Sequence, residues 1–338
     1  MTFENLIKPG TDFLGSRYPI IGGAMSWISD VTLTAAISNN GGFGVFASGH
    51  IPPAALIQEL TELKKRTHNL YGVNLITISP IFEEQLEAAL TVKPPVVVFA
   101  ARTPTEKHIA RAKAAGAKVM TFAPNLTAAT RMIEAGADAL IIEGHEAGGH
   151  VGSVSTIVLL QEILFNISEV PVFVAGGIVS GKLAAHIFMM GAAGVQLGTR
   201  FMLTHEAPIK PSTKDAFLKS QAKDALVSFG IDRRLGVVPV RTLRNKGVDD
   251  FIQLQIKLVA RLEKKEITST QATDEIEKFW LGALRRAVQD GDLEYGSLMA
   301  GNCVGLIKEL LSVQEVIQNL VGEIKEQLAV ITEKAKKA

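Results

Sequence analysis

Short runs of apolar residues, most of them without polar alternation, recur along the first 200 residues of the chain. They cover residues 19–24, 43–48, 71–77, 95–101, 118–124, 139–144, 170–177 and 194–200. A continuous apolar run of this length is typical of a parallel strand that is buried on both faces. The runs start roughly every 20–30 residues, which is the spacing that one strand-plus-helix unit requires.

Segments with helical spacing of apolar positions lie between these runs, at residues 30–39, 52–66, 80–92, 104–115, 126–135, 156–167 and 180–190. Asp30 and Ser180 are expected to cap helices, and Pro80 and Pro104 are expected in first turns. Eight strands and seven helices within 200 residues predict an α/β fold of the (β/α)8 TIM barrel type. A doubly wound open sheet is disfavoured because it usually has fewer parallel strands.

The pattern changes after Phe201. Residues 206–290 carry more charge and one short strand-like run, 235–240, and we predict a mainly helical cap inserted after strand eight. The barrel domain is then 1–205 and 291–338, ending in an amphipathic helix at 313–334. An insertion at this point emerges at the carboxyl ends of the strands, so we expect the cap to cover the barrel mouth.

Charge and cysteine content exclude several classes of protein. The 338 residues include 35 Lys and Arg, 34 Asp and Glu, and one cysteine, Cys303, with a net charge of +1. This balance does not favour nucleic acid or an anionic membrane as partner, so we expect small molecules or proteins. One cysteine cannot form an internal disulfide framework or a multi-cysteine zinc site, and it fits a cytoplasmic location.

No membrane segment or export signal is expected. The longest uncharged stretch, 31–58, is interrupted by Asn39-Asn40-Gly41-Gly42 and by Pro52-Pro53, which break a helix. The first ten residues lack the basic-then-apolar pattern of a secretory signal.

Glycines cluster where the predicted strands end. Strand seven ends in Gly176-Gly177 and strand eight in Gly198-Thr199. Glycine lets backbone N–H groups approach a ligand closely, and a pair of such turns at adjacent strands predicts a phosphate site. A tight turn without a ligand is the alternative for either pair alone.

The segment from Glu143 to Gly152, EGHEAGGHVG, has two histidines, two carboxylates and four glycines just past a buried strand. His145 and His150 are five residues apart in a glycine-rich loop without an HExxH helix, so we predict no metal site. A loop with solvated histidines stays open as an alternative. An acid, base or hydrogen-bonding role for His150 has better support because imidazole suits proton transfer near pH 7.

Six motifs resemble one enzyme family, and they occur in the same order along the chain: PIIGGAM, YGVN, EGHEAGGHVG, VAGGI, VQLGTRF and GSLMAG. The resemblance is to the FMN-dependent nitronate monooxygenases, formerly 2-nitropropane dioxygenases, a group that includes enoyl-acyl-carrier-protein reductase II. It implies that FMN is bound and that His150 is the catalytic histidine. It implies FMN contacts at Gly23, Ala24, Met25, Asn74, Glu143, Gly148, Gly177, Gln196, Leu197, Gly198 and Thr199.

The resemblance favours the reductase branch, because Glu143 stands where the monooxygenases typically have Gln. We therefore expect NAD(P)H to reduce FMN, which then reduces an activated alkene such as a 2-enoyl thioester. A nitronate monooxygenase, a quinone reductase and a non-catalytic FMN- or phosphate-binding barrel are the alternatives. The oligomeric state is open, with a homodimer as one outcome.

Two departures from the family pattern concern the substrate pocket. Arg102 replaces a small glycine-containing turn and could contact an anionic substrate, and His145 replaces a Met of the reductases. The other histidines are expected to be structural or solvated: His50, His68, His108, His186 and His205. Cys303 is expected to be a small buried apolar residue, outside the loops that follow the strands.

Overall fold

The strands of the computed structural model, which describes residues 2–337, form a barrel and a small second sheet. Their bounds are β1 (Ile20–Gly22), β2 (Phe43–Ala47), β3 (Gly72–Ile76), β4 (Val96–Ala100), β5 (Lys118–Phe122), β6 (Ala139–Glu143), β7 (Gly149–His150), β8 (Val172–Ala175), β9 (Gly194–Leu197), β10 (Ala225–Ser228) and β11 (Val240–Leu243). The barrel is closed in the order β1-β2-β3-β4-β5-β6-β8-β9, with every pair parallel and β9 beside β1. The predicted TIM barrel and its eight strands are confirmed.

The helices follow the predicted spacing. Their bounds are α1 (Phe3–Leu14), α2 (Val31–Asn39), α3 (Pro53–Arg66), α4 (Phe82–Thr91), α5 (Glu106–Ala114), α6 (Leu126–Glu134), α7 (Thr156–Leu159), α8 (Gly181–Met189), α9 (Thr199–Met202), α10 (Pro211–Lys219), α11 (Lys246–Glu263), α12 (Ser269–Arg285) and α13 (Val313–Lys337). Asp30 and Ser180 cap α2 and α8 as predicted. The Pro80 and Pro104 start signals are wrong by two residues, because α4 and α5 begin at Phe82 and Glu106, and Thr105 caps α5. The segment predicted as a helix at 156–167 continues past α7 as a π-helix, Leu160–Leu164.

Alternate strand residues fill the barrel interior, among them Ile21, Val45, Val98, Ile141 and Phe173. Their neighbours along each strand pack outward against the helices, the alternation that a barrel imposes.

Helix α1, which the sequence analysis did not predict, closes the amino end of the barrel. Its Phe13 ring lies 5.8 Å from that of Phe173. The Pro9-Gly10 pair in α1 reads as a helix breaker in sequence. In the structure Gly10 is required instead, because a Cβ there would lie 1.9 Å from the Ala193 carbonyl oxygen.

Helix α13 packs against α8 and α2 and completes the ring of helices around the barrel. The Glu323 carboxylate on α13 accepts hydrogen bonds from the Gly181 amide, at 2.7 Å, and from the Ser180 hydroxyl, at 3.0 Å. The C-terminal helix is therefore attached to the start of α8.

The cap region contains α10, α11 and α12, and also two strands. β11 pairs antiparallel with β10 and with β7, the short strand in the loop after β6. The predicted strand at 235–240 is wrong: Leu235 ends a 3-10 turn, Gly236 turns the chain at φ +62°, and β11 begins at Val240. The division into a barrel (1–205 and 291–338) and a cap (206–290) stays a prediction. Among residues 2–337, every helix is too short or too polar to cross a bilayer.

Candidate active site

Three polar side chains lie at the carboxyl end of the barrel interior: Asn74, Glu143 and Gln196. Glu143 shares the inward parity of Ala139 and Ile141 along β6, since the residues between them pack outward. The Asn74 amide donates to the Val98 carbonyl oxygen at 3.2 Å. The Gln196 side chain lies 3.1 Å from the position that a Cβ on Gly23 would take. Together they make a polar layer above the apolar barrel core.

Glu143 is the ionisable side chain of this layer, and its pKa is strongly shifted. Burial raises its pKa to about 7 because the ionised form loses hydration inside the end of the barrel. A carboxyl with this pKa is partly protonated near neutrality, so it can donate a hydrogen bond as well as accept one.

The glycines predicted for the site lie where loops from different strands meet. Gly177 has φ +74°, and a Cβ there would lie 3.0 Å from the Glu146 Cβ. A Cβ on Gly198 would lie 3.6 Å from the Met25 Sδ, and one on Gly148 would lie 2.5 Å from the Ala300 carbonyl carbon. The loops after β1 and β9 and those after β6 and β8 therefore meet in pairs, and at Gly148 the backbone approaches the segment around Ala300 more closely than a side chain would permit.

Thr199 connects the end of β9 to that same segment. Its hydroxyl oxygen accepts a hydrogen bond from the Gly301 amide at 3.0 Å, and the Cys303 thiol lies beside it. Burial raises the pKa of the Cys303 thiol to about 11, so it stays protonated. The expectation that Cys303 is buried is confirmed. Cys303 lies in the 3-10 turn Asn302–Leu306, outside the loops that follow the strands, and the fold brings that turn against Thr199.

Leu197 differs from the other predicted site residues. Its side chain is buried between the barrel and the helices. Only its backbone reaches the site, where its carbonyl oxygen accepts from the Gly23 amide at 3.0 Å.

His150 forms the short strand β7 with Gly149, in the loop after β6, and its side chain is exposed. The protein around the imidazole removes part of its hydration, which disfavours the charged form and lowers the pKa of His150. The Glu277 carboxylate on α12 partly offsets this effect. The imidazole is therefore neutral at pH 7, a state that can both donate and accept a hydrogen bond.

The loop that carries His150 is held at several points. The His145 Nδ1 atom lies 2.7 Å from the Gly152 carbonyl oxygen. The Glu146 carboxylate accepts from the amide and the hydroxyl of Thr156 at 2.9 and 2.7 Å. His145, one of the two departures from the family pattern, thus closes its own loop.

Arg102, the other departure, is exposed in the loop after β4. The Thr77 hydroxyl binds both its backbone amide and its carbonyl oxygen, and the preceding Ala101 has φ +76°. The strained turn fixes the backbone from which the Arg102 side chain projects.

Two residues of the site region had no sequence signal. Glu277 reads as a surface charge on an amphipathic helix, and Arg241 reads as a charge in a short apolar run. Only the fold brings them to the His150 loop. Within residues 2–337, no group of three or more His, Cys, Asp or Glu side chains is arranged to hold a metal ion.

Comparison with known proteins identifies relatives along nearly the whole chain. The family model for nitronate monooxygenase matches residues 8–81 and 71–323. The solved structure of FabK from Thermotoga maritima is 35% identical, with a TM-score of 0.85, and the match covers 96% of this chain and 98% of that one.

Curated relatives are more distant. A (3aS,4S,5R,7aS)-5-hydroxy-7a-methyl-1-oxo-octahydro-1H-indene-4-carboxyl-CoA dehydrogenase from Rhodococcus jostii strain RHA1 is 28% identical, over 93% of this chain and 94% of the relative. A probable nitronate monooxygenase from Staphylococcus aureus strain Newman is 27% identical, over 77% and 84%. A nitroalkane oxidase structure from Streptomyces ansochromogenes, 24% identical with a TM-score of 0.77, has the same fold.

Proposed function

The chain belongs to the nitronate monooxygenase family, and from this premise we propose that it is an NAD(P)H-dependent flavoenzyme that reduces the double bond of a 2-enoyl thioester. The observation that carries the proposal is the 35% identity to a FabK over almost the full length of both chains. Enoyl-acyl-carrier-protein reductase II, the enzyme that FabK denotes, belongs to the reductase branch, and Glu143 agrees with that branch.

The residues at the barrel mouth fit FMN. Gly177 and Gly198 present backbone at two adjacent strand ends, where a Cβ would meet Glu146 or Met25. Closely approaching backbone N–H groups suit a phosphate monoester. The polar layer of Asn74, Glu143 and Gln196 supplies amide and carboxyl groups that can pair with a flat, hydrogen-bonding ring system.

Bound FMN would supply the hydride-transfer chemistry at this site. His150 would face the substrate from the β6 loop and donate a hydrogen bond from its neutral imidazole to the thioester carbonyl oxygen. The Glu143 carboxyl would donate a hydrogen bond to the bound flavin from the barrel interior, since its raised pKa keeps it partly protonated near neutrality. The cap would exclude water from the mouth, because β11 pairs directly with the strand that carries His150.

A thioester substrate is supported from two sides. The FabK match supports an enoyl thioester, and the dehydrogenase relative from R. jostii carries a carboxyl-CoA in its name. Oxidation of an alkyl nitronate by O2 is the second candidate. The neutral imidazole of His150 can also donate a hydrogen bond to an oxygen of a nitronate, so its lowered pKa is compatible with this candidate too.

Anaerobic titration of the flavoprotein tests the proposal. NADH or NADPH should bleach the flavin absorbance, and crotonyl-CoA should restore it with formation of one equivalent of butyryl-CoA. Bleaching by a nitronate but by neither nicotinamide would overturn the proposal in favour of the second candidate. Nicotinamide bleaching that a quinone, but no enoyl thioester, reverses would also contradict the assigned substrate.

A further inference from the structure

Arg241 is a buried cation that connects the cap to the loop of His150. It lies on β11 with 4% of its surface exposed. Its Nε atom donates to the Ala147 carbonyl oxygen at 3.0 Å, and one terminal nitrogen donates to the His145 carbonyl oxygen at 2.8 Å. The other terminal nitrogen donates to the Ala225 carbonyl oxygen of β10, also at 2.8 Å. One guanidinium therefore joins two carbonyls of the β6 loop to the cap sheet.

The backbone around His150 is bound to the same strand. Val240 is paired with His150 and Arg241 with Gly149 in the antiparallel register. The Val151 amide donates to the Pro239 carbonyl oxygen at 3.0 Å. The cap strand thus supports the loop on both sides of His150.

The charge and the planar shape of the guanidinium both bear on this position. Burial lowers the pKa of Arg241 by removing hydration, and the Glu146 carboxylate within the same loop partly offsets this. The three carbonyl oxygens lie in three directions around a planar group, which a forked guanidinium can reach together. A lysine has a single nitrogen at the end of a flexible chain and cannot serve all three positions.

We propose that Arg241 is the positioning residue of His150: it holds the loop 143–152 against the cap so that the imidazole faces the barrel mouth. The inference rests on the proposed function in so far as it gives His150 a substrate to contact. It also assigns the cap a part in building the site, beyond covering it.

The alternative role for Arg241 is a purely structural one, in which it only attaches the cap to the barrel. Lys214 offers a matched control for that role. It is also a buried cation of the cap region, and its Nζ donates to the Thr204 and His205 carbonyl oxygens at 2.6 and 3.4 Å. It has no hydrogen bond to the His150 loop.

The test compares Arg241→Met, Arg241→Lys and Lys214→Met, each also combined with His150→Ala, all as FMN-loaded protein. Arg241→Met should lower kcat for the enoyl thioester about 10–100-fold, the scale for a misplaced catalytic group, with a smaller change in KM. In the His150→Ala background the same change should cost less than about threefold, since its effect acts through His150. Lys214→Met should leave kcat unchanged. An equal loss of kcat in both backgrounds would overturn the proposal.

Two readouts do not depend on turnover. Hydrogen exchange at the Val151 amide should accelerate in Arg241→Met and Arg241→Lys but not in Lys214→Met. The NMR-measured pKa of His150 should rise toward the ordinary value as the loop leaves the surrounding protein. Unchanged exchange and an unchanged His150 pKa would refute the positioning role, even if the thioester reaction itself proved wrong. If Arg241→Met does not fold, Arg241→Lys decides by the same measurements.

Discussion

The Trp27 and His50 rings are in contact, with their centroids 3.6 Å apart and their planes tilted by 33°. Trp27 follows β1 and His50 follows β2, so the pair lies at the carboxyl end of the barrel. Trp27 has φ +68°, a strained value for a bulky residue. The Trp27 Nε1 and His50 Nδ1 atoms are buried and have no hydrogen-bond partner among the described residues. His50, which the sequence analysis expected to be structural or solvated, packs against Trp27 beside the barrel mouth.

The His50 environment predicts an acid-linked loss of stability. Burial lowers the pKa of His50 to about 4 from its ordinary value near 6.5. The folded state then binds fewer protons than the unfolded state between these values, so stability falls as pH decreases through this window. From pH 7 to 4.5, wild type should lose on the order of 1–2 kcal/mol more than His50→Phe, after allowance for the partial exposure of His50. Urea unfolding with excess FMN measures this.

The exposed His68 provides the control for that comparison. His68→Phe should show the same pH dependence as wild type. Equal slopes for wild type and His50→Phe would mean that His50 does not titrate in the window.

Glu143 predicts a pH dependence of opposite sign in cofactor affinity. With a pKa of about 7, its carboxyl donates a hydrogen bond at pH 6 and is a carboxylate at pH 8, near an anionic cofactor. FMN affinity should therefore fall about tenfold between these pH values, the scale of one such hydrogen bond. Glu143→Gln keeps an N–H donor at every pH and should bind FMN with little change. Fluorescence titration at several pH values makes the comparison, and Glu277→Gln should retain the wild-type profile.

The barrel could be predicted from the sequence because its parallel strands are buried on both faces. The runs around β4 and β6 are continuous apolar residues, so their strands and the intervening helices could be predicted closely. The strands β7, β10 and β11 could not, because each has two to four residues and is defined by partners distant in sequence. Local pattern contains no information on such pairing.

The candidate site likewise contains residues that the sequence predicted and residues that it did not. Asn74, Glu143 and Gln196 lie in predicted strands, and the family resemblance assigned them to the FMN site. Arg241 had no such signal, because an arginine in a short apolar run reads as a surface charge. Its burial against three carbonyl oxygens exists only once the cap meets the β6 loop.

Two Thr199 variants should separate the effect of the hydroxyl on FMN affinity from the effect of the methyl group. Thr199→Val removes the acceptor of the Gly301 amide and the hydroxyl of a residue that the family resemblance assigns to FMN; we expect this hydroxyl to bind the phosphate. FMN affinity should weaken by on the order of 1.5–3 kcal/mol, the range for a charge-assisted hydrogen bond, while Thr199→Ser should bind nearly as wild type. Isothermal titration of apoprotein with FMN measures both. Thr121→Val is the control, because the Thr121 hydroxyl is buried without a partner and lies outside the site. Equal affinities for the Val and Ser variants would exclude a role for the hydroxyl.

Gly177 and Gly191 allow backbone strain to be separated from cofactor contact. Both have positive φ, +74° and +109°, so alanine at either position should destabilise the fold by about 1 kcal/mol or more. A Cβ on Gly177 would also enter the space beside Glu146, whereas nothing lies within 4 Å of one on Gly191. Gly177→Ala should therefore lose FMN, and Gly191→Ala should keep it at equal stability. Similar FMN contents in the two variants would remove Gly177 from the cofactor site.

The last prediction concerns what His150 does once FMN is bound. Its imidazole is exposed, and the glycines predicted for the phosphate site, Gly177 and Gly198, lie in other loops. Its loss should therefore leave FMN content near wild type while turnover falls roughly 10²–10⁴-fold, the range for loss of a positioned acid or base. The measurements are flavin occupancy, the rate of flavin reduction by NAD(P)H and overall turnover in His150→Ala.

Flavin occupancy, the rate of flavin reduction and overall turnover together distinguish the possible roles of His150. If it contacts the substrate, flavin reduction by NAD(P)H should persist, and the loss should lie in the step that consumes the thioester. If it only shapes the loop, FMN should be lost, and Arg241→Met should produce the same loss without any coupling to His150. Full turnover in a fully loaded His150→Ala variant would reject the catalytic assignment. It would leave Glu143, whose carboxyl is partly protonated near neutrality, as the other proposed hydrogen-bond donor of the site.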